Sequence, residues 1–246
     1  MRTANPALNA KTFTGLPRAV DARTMTIQGT VNKAVLLLLL VLFSSSWTWN
    51  LYFSAGDPGV VSPWVFGGLI GGFIVALITV FKKQWAIVTA PIYSLLEGLA
   101  LGGISAIFEA RFPGIVIQAV GLTFGTLFCL LMAYKSGMIK VTENFKLGIV
   151  AATGAIALFY VASLLLGMFG IAIPFIHGSG VIGIGFSLFV VTIAALNLVL
   201  DFDFIENGAT RGAPQYMEWY AAFGLIVTLV WLYIEILRLL SKLRSR

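Results

Sequence analysis

The chain has 246 residues, a formal net charge of +6, 59% hydrophobic residues and only 11% charged ones. A soluble domain is about 25% charged, so this chain cannot coat a globular surface with charge; a soluble enzyme, a disordered tail and a disulfide scaffold are excluded. The basic balance does not indicate a nucleic-acid partner, because the lysines and arginines fall in short flanks between apolar runs, as topology signals do.

Residues 1–30 are polar, with Arg2, Lys11, Arg18 and Arg23 against Asp21. A secretory signal has only a short charged region before its apolar core and small residues after it, so this stretch reads as a retained cytoplasmic arm. A transmembrane domain follows over 31–240, and a basic tail over 241–246. A spanning helix needs about 20 mostly apolar residues. Seven stretches qualify, at about 31–53, 64–81, 85–108, 114–134, 147–172, 181–202 and 216–238. In lipid each must satisfy its own backbone, so all are helices and the fold class is all-α. The loops are short, and no soluble domain fits between them.

Lysines and arginines in short loops set orientation. The arm, Lys33, Lys82 and Lys83, Lys135, Lys140 and Lys146, and Arg211 all fall on one side, which makes the N-terminus of this multi-pass protein cytoplasmic. One conflict stands. Seven spans put the tail, with Arg238, Lys242, Arg244 and Arg246, on the other side, although it is basic.

Cys129, the only cysteine, sits in LFCLLMAY and reads as a small buried hydrophobe. The spacings Gly67/Gly71, Gly68/Gly72, Gly98/Gly102 and Gly121/Gly125 let helix backbones approach closely, and packing within the chain is favoured over dimerisation.

Ionisable residues within the membrane are costly and are functional suspects. Glu97 lies in the middle of the third span (PIYSLLEGLALGG), where a carboxylate must be protonated or paired. It reads as a proton or cation site, or as a hydrogen-bonded carboxyl that fixes packing. Asp201 and Asp203 close the sixth span (LNLVLDFDFIENG), with Glu206 beyond. Two residues apart on a helix they point about 200° apart, so they cannot share one partner. They read as a coupled, proton-sensitive latch or as a solvated acidic cluster at a helix end. Glu218 opens the seventh span and Glu235 lies near its end. His177, the single histidine, has no neighbours for a zinc site. Ser187 in GFS is no nucleophile elbow, and an intramembrane hydrolase using it with His177 is disfavoured. A retinal site needs a lysine within the last helix, and the one there, Lys242, falls in the tail.

Three stretches carry a family resemblance: YSLLEGLALGGISAIFEA, LNLVLDFDFIENG and EWYAAFGLIVTLVWLYIEILRLL. With them the chain resembles the Bax inhibitor-1 family (YccA-like, transmembrane Bax inhibitor motif proteins) over nearly its whole length. The openings NPALNAKTF and MTIQGTVNKAVLLLLL resemble a bacterial subgroup, which implies a bacterial inner membrane. The resemblance implies a seven-helix bundle with the last helix central, and a pH-sensitive calcium leak gated by one aspartate from each of the last two helices. Asp201 matches the sixth-helix aspartate. The seventh-helix position falls on Thr228, which hydrogen-bonds but does not titrate, so the two-carboxylate latch is broken in its usual form. Glu218 and Glu235 are candidate substitute carboxylates.

The leading expectation is therefore a slow leak for Ca²⁺ or another cation and no enzyme. Asp201 is the gate or ion contact, Glu97 a lining acid, and Asp201 with Asp203 candidate calcium ligands; no bound cofactor is expected beyond a transported Ca²⁺. Calcium takes about six to eight oxygens, so water and carbonyls would complete the shell. The competing expectation is a non-transporting regulator that docks on a membrane protease or another membrane protein, a role that a polar arm of this length would suit.

Overall fold

A computed structural model describes residues 24–170, 178 and 180–245. Seven long helices follow one another: α1 (Ile27–Ala55), α2 (Pro58–Phe81), α3 (Ala86–Arg111), α4 (Ile115–Lys135), α5 (Glu143–Met168), α6 (Val181–Thr210) and α7 (Tyr216–Arg244). A 3-10 turn, Lys83–Trp85, precedes α3. All seven helices are long and apolar enough to cross a membrane. Of the spanning stretch of α7, 61% is buried, and of α3 56%, against 11–22% in α1, α2, α4 and α5, whose apolar faces are left for the bilayer.

α1, α2, α3, α6 and α7 are longer than their apolar runs, whereas α4 keeps the expected length and α5 ends at Met168 rather than near 172; several starts are set by polar caps that hydropathy does not weigh. Thr26 caps α1 by accepting from the Gly29 amide at 2.9 Å. Asp57 caps α2 through the Gly59 amide at 2.8 Å, with Pro58 in the first turn where it loses no helical bond. Thr142 caps α5 through the Phe145 amide at 3.2 Å, so this helix opens four residues before its apolar run. α6 runs eight residues past its apolar stretch to Thr210, and the chain then turns at Gly212, whose φ of 65° suits a residue without a Cβ. This overturns the reading of Asp201 and Asp203 as a helix end: both lie within α6, and Asp201 is fully buried rather than solvated. Lys242 likewise lies inside α7 and is buried, not in a free tail.

The chain forms two compact units, and their boundaries fall within α6, after Asp203, and within α7, before Thr228. One unit holds α1 to α3 with the end of α6 and the start of α7. Here α3 packs against both α1 and α2. The buried positions of α1, Thr30, Ala34, Leu37, Val41, Ser44 and Thr48, alternate by four and three, one seam of a helix. Gly98 and Gly102 of α3 receive that seam: a Cβ on Gly98 would strike Ser44 and the Val41 backbone, and one on Gly102 would strike Ser45 and Thr48. On α2, a Cβ at Gly68 would lie 2.5 Å from the Leu96 carbonyl oxygen. The hydroxyls of Thr79 and Thr89 meet at 2.8 Å near the α2–α3 turn. These glycines thus serve packing within the chain, whereas Gly67, Gly121 and Gly125 face open space.

The other unit holds α4, α5, α6 up to Asp203 and α7 from Thr228. Ile156, Val190 and Ile193 form a core there, with Tyr160, Phe186 and Trp231 packed on it. Asn197 donates from its side-chain amide to the Thr153 hydroxyl at 2.9 Å and to the Ile193 carbonyl at 2.8 Å. Cys129 corrects the sequence reading: it is exposed. On α4 only Ile115, Ala119 and Thr123 are buried, so an apolar residue there more often meets lipid than protein.

Candidate functional site

Asp201 sits on α6 with none of its surface exposed. The Thr228 hydroxyl of α7 faces its carboxyl, and yet neither carboxyl oxygen has a partner at hydrogen-bond geometry among the described residues. Thr228 is itself buried. A carboxyl buried without full compensation is expensive and is the kind of group that marks ion or proton pathways in membranes. The helix brings it there because its neighbours Leu198, Val199, Leu200 and Phe202 are all buried.

Asp203, two residues on, is in a different situation. Its Oδ2 lies 2.8 Å from the Nζ of Lys146, and Lys146 also faces Glu143 one turn earlier on α5, at 3.6 Å. Lys146 is almost wholly buried. The two aspartates therefore do not converge: one is paired with a cation, the other faces a hydroxyl. Among the described residues no group of three or more histidine, cysteine, aspartate and glutamate side chains is placed to hold a metal ion.

Glu235 accepts from the Tyr160 hydroxyl at 3.0 Å and from Arg238 Nη1 at 3.0 Å, and Arg238 also donates to Tyr160 at 2.9 Å. One turn further on, Lys242 Nζ donates to the Gly183 carbonyl at 3.1 Å and to the Ser187 hydroxyl at 2.8 Å. Ser187 is buried and held by this lysine; His177 lies outside the described residues. Glu235 thus belongs to a network at the end of α7.

Glu97 belongs to the other unit. Its residue is 8% exposed, and a Cβ on Gly72 of α2 would lie 3.0 Å from its Oε2, so the missing side chain makes the room that the carboxylate fills. Beside it on the same helix stand Tyr93, whose ring meets Phe223 edge-on with centroids 5.0 Å apart, and Ser94, whose buried hydroxyl has no partner among the described residues. Glu218, in the same unit, is committed at the start of α7: Oε1 accepts from the Thr26 amide and hydroxyl, both at 2.9 Å, and Oε2 is ion-paired with Lys33.

Sequence reasoning missed the roles of Lys33, Lys146 and Lys242, which it treated as topology charges. The signal for Lys146 was legible: Thr142 followed by Glu143 is a helix start, which puts Lys146 one turn inside α5 rather than in a loop.

The curated proteins and the solved structures contain no match to this chain. The family model described as Bax inhibitor 1 like matches residues 5–245. With seven spanning helices and a match over almost the whole length, the chain belongs to the Bax inhibitor 1 like family.

Proposed function

We propose that this protein is a slow cation leak, with Ca²⁺ as the cation tested first, and that Asp201 is the group that cations meet. The single observation that carries the reading is Asp201 itself: a fully buried carboxyl on a spanning helix, facing a hydroxyl and lacking a partner at hydrogen-bond geometry among the described residues. The other acids close to it in sequence or along α7 are engaged. Asp203 holds Lys146 and Glu235 holds Arg238. Asp201 is left as the carboxyl with capacity to take a passing cation or a proton. Glu97, between α2 and α3, is a second lining acid in this reading. In this reading the protein sits in a bacterial inner membrane, as the resemblance of its opening to a bacterial subgroup implies, and its arm lies in the cytoplasm, since the basic residues of the arm and of the loops that share its side outnumber those opposite.

The test is Ca²⁺ uptake into proteoliposomes of purified protein beside empty vesicles, with Asp201→Asn as the variant. Asparagine keeps the shape and removes the charge. Uptake above that of empty vesicles and lost in the variant is expected. Equal uptake by both proteins removes Asp201 from the path. No uptake by either turns the reading to a docking role for the arm.

A further inference from the structure

The segment that joins the arm to α1 is fastened to the start of α7 by a set of contacts that nothing above uses. The Thr24 backbone forms an isolated antiparallel bridge with Pro214 in the α6–α7 turn. The Met25 amide donates to the Ala213 carbonyl at 2.7 Å, and the Met25 side chain is buried. Thr26 gives its amide and its hydroxyl to Glu218 while its oxygen caps α1. Lys33, two turns into α1, pairs with the same carboxylate, and its ammonium lies 5.5 Å from the centre of the Trp219 ring. Gly29 completes the fit, since any Cβ there would collide with the Glu218 carboxylate.

One side chain thus joins the cap of one spanning helix to the first turn of another. The fastening is polar and is made of few bonds. Glu218 provides both of its oxygens, so loss of this one carboxylate removes the Thr26 and Lys33 contacts together. α7 contains no proline from Tyr216 to Arg244. Thr228 lies ten residues, or about 15 Å, further along this unbroken helix.

We propose that the Glu218 clasp is a releasable latch: closed, it fixes the start of α7 against the start of α1; open, it lets α7 move. The proposal rests on the leak reading, because its consequence is read at Thr228 beside Asp201.

The test locks the latch reversibly in the full-length protein. Bridge partners in an antiparallel pair have Cα atoms about 4.5–5.5 Å apart, within the span a disulfide accepts. Thr24→Cys with Pro214→Cys, in a Cys129→Ser background free of other cysteines, is oxidised in membranes, purified and reconstituted. The cross-link is expected to form, Ca²⁺ uptake to fall in the oxidised protein, and dithiothreitol to restore it in the same vesicles. Recovery on reduction shows that the protein was folded throughout. Failure of the cross-link to form overturns the proposal. So does uptake that is present and equal before and after reduction, which leaves the leak reading standing. No uptake in either state overturns the leak reading, and the latch with it.

Discussion

Two aspartates two residues apart meet opposite fates, and their environments account for it. Asp203 and Lys146 are both largely buried and lie 2.8 Å apart. Removing one member of a buried pair leaves the other charge uncompensated, at a cost of about 3–5 kcal/mol. Lys146→Met is therefore expected to lower thermal stability in detergent markedly. The double change with Asp203→Leu should recover most of it, since a buried pair replaced by apolar residues is often neutral. A double variant as unstable as the single one would contradict the pairing. Asp201 behaves differently, because its neighbour is a hydroxyl. Its place on α6 was legible from the DFDF motif, and Thr228 opposite it from the seventh stretch. Its complete burial was not legible, because the end of an apolar run looks like the end of a helix. Apolarity stops near Phe204, but the backbone bonds continue to Thr210 and keep Asp201 well inside the helix.

Among elements, the seven spans were legible because bilayer thickness sets a length that few other structures need. Their ends were not, because caps are made by single polar residues such as Thr26, Asp57 and Thr142. The glycine spacings are a weaker signal. Pairs with the same pattern differ in surroundings: Gly98 and Gly102 lie under α1, while Gly121 and Gly125 face open space. A side chain forced into a packed contact costs about 1–3 kcal/mol. Gly102→Val is thus expected to lower the unfolding temperature in detergent, and Gly121→Ala or Gly125→Ala to leave it unchanged or slightly raised, alanine being the better helix former. Equal losses at Gly102 and Gly121 would show that sequence spacing, and not contact, decides.

At the scale of the whole molecule, seven crossings put the basic tail opposite the arm, and two of the four basic residues counted there, Arg238 and Lys242, are engaged within the fold. Arg238 is paired with Glu235, and Lys242 is buried on Gly183 and Ser187. Lys33 and Lys146, counted on the arm side, are paired as well. The partners of Lys33, Lys146 and Lys242 could not be read from the sequence, since each lies on another helix: Lys33 precedes Glu218 by 185 positions.

The central claim is that cations pass by Asp201 and that Asp201 acts without a second carboxylate. The measurement that tests it most directly is Ca²⁺ uptake by wild-type, Asp201→Asn and Thr228→Asp proteoliposomes, beside empty vesicles. The external pH is stepped from about 8 to about 6, a range in which a coupled pair of acids can show two separate titration steps. The account predicts uptake by the wild type, loss of uptake in Asp201→Asn, and a second pH-dependent step in Thr228→Asp that the wild type lacks. Wild-type uptake no greater than that of empty vesicles, or full uptake in Asp201→Asn, would contradict it.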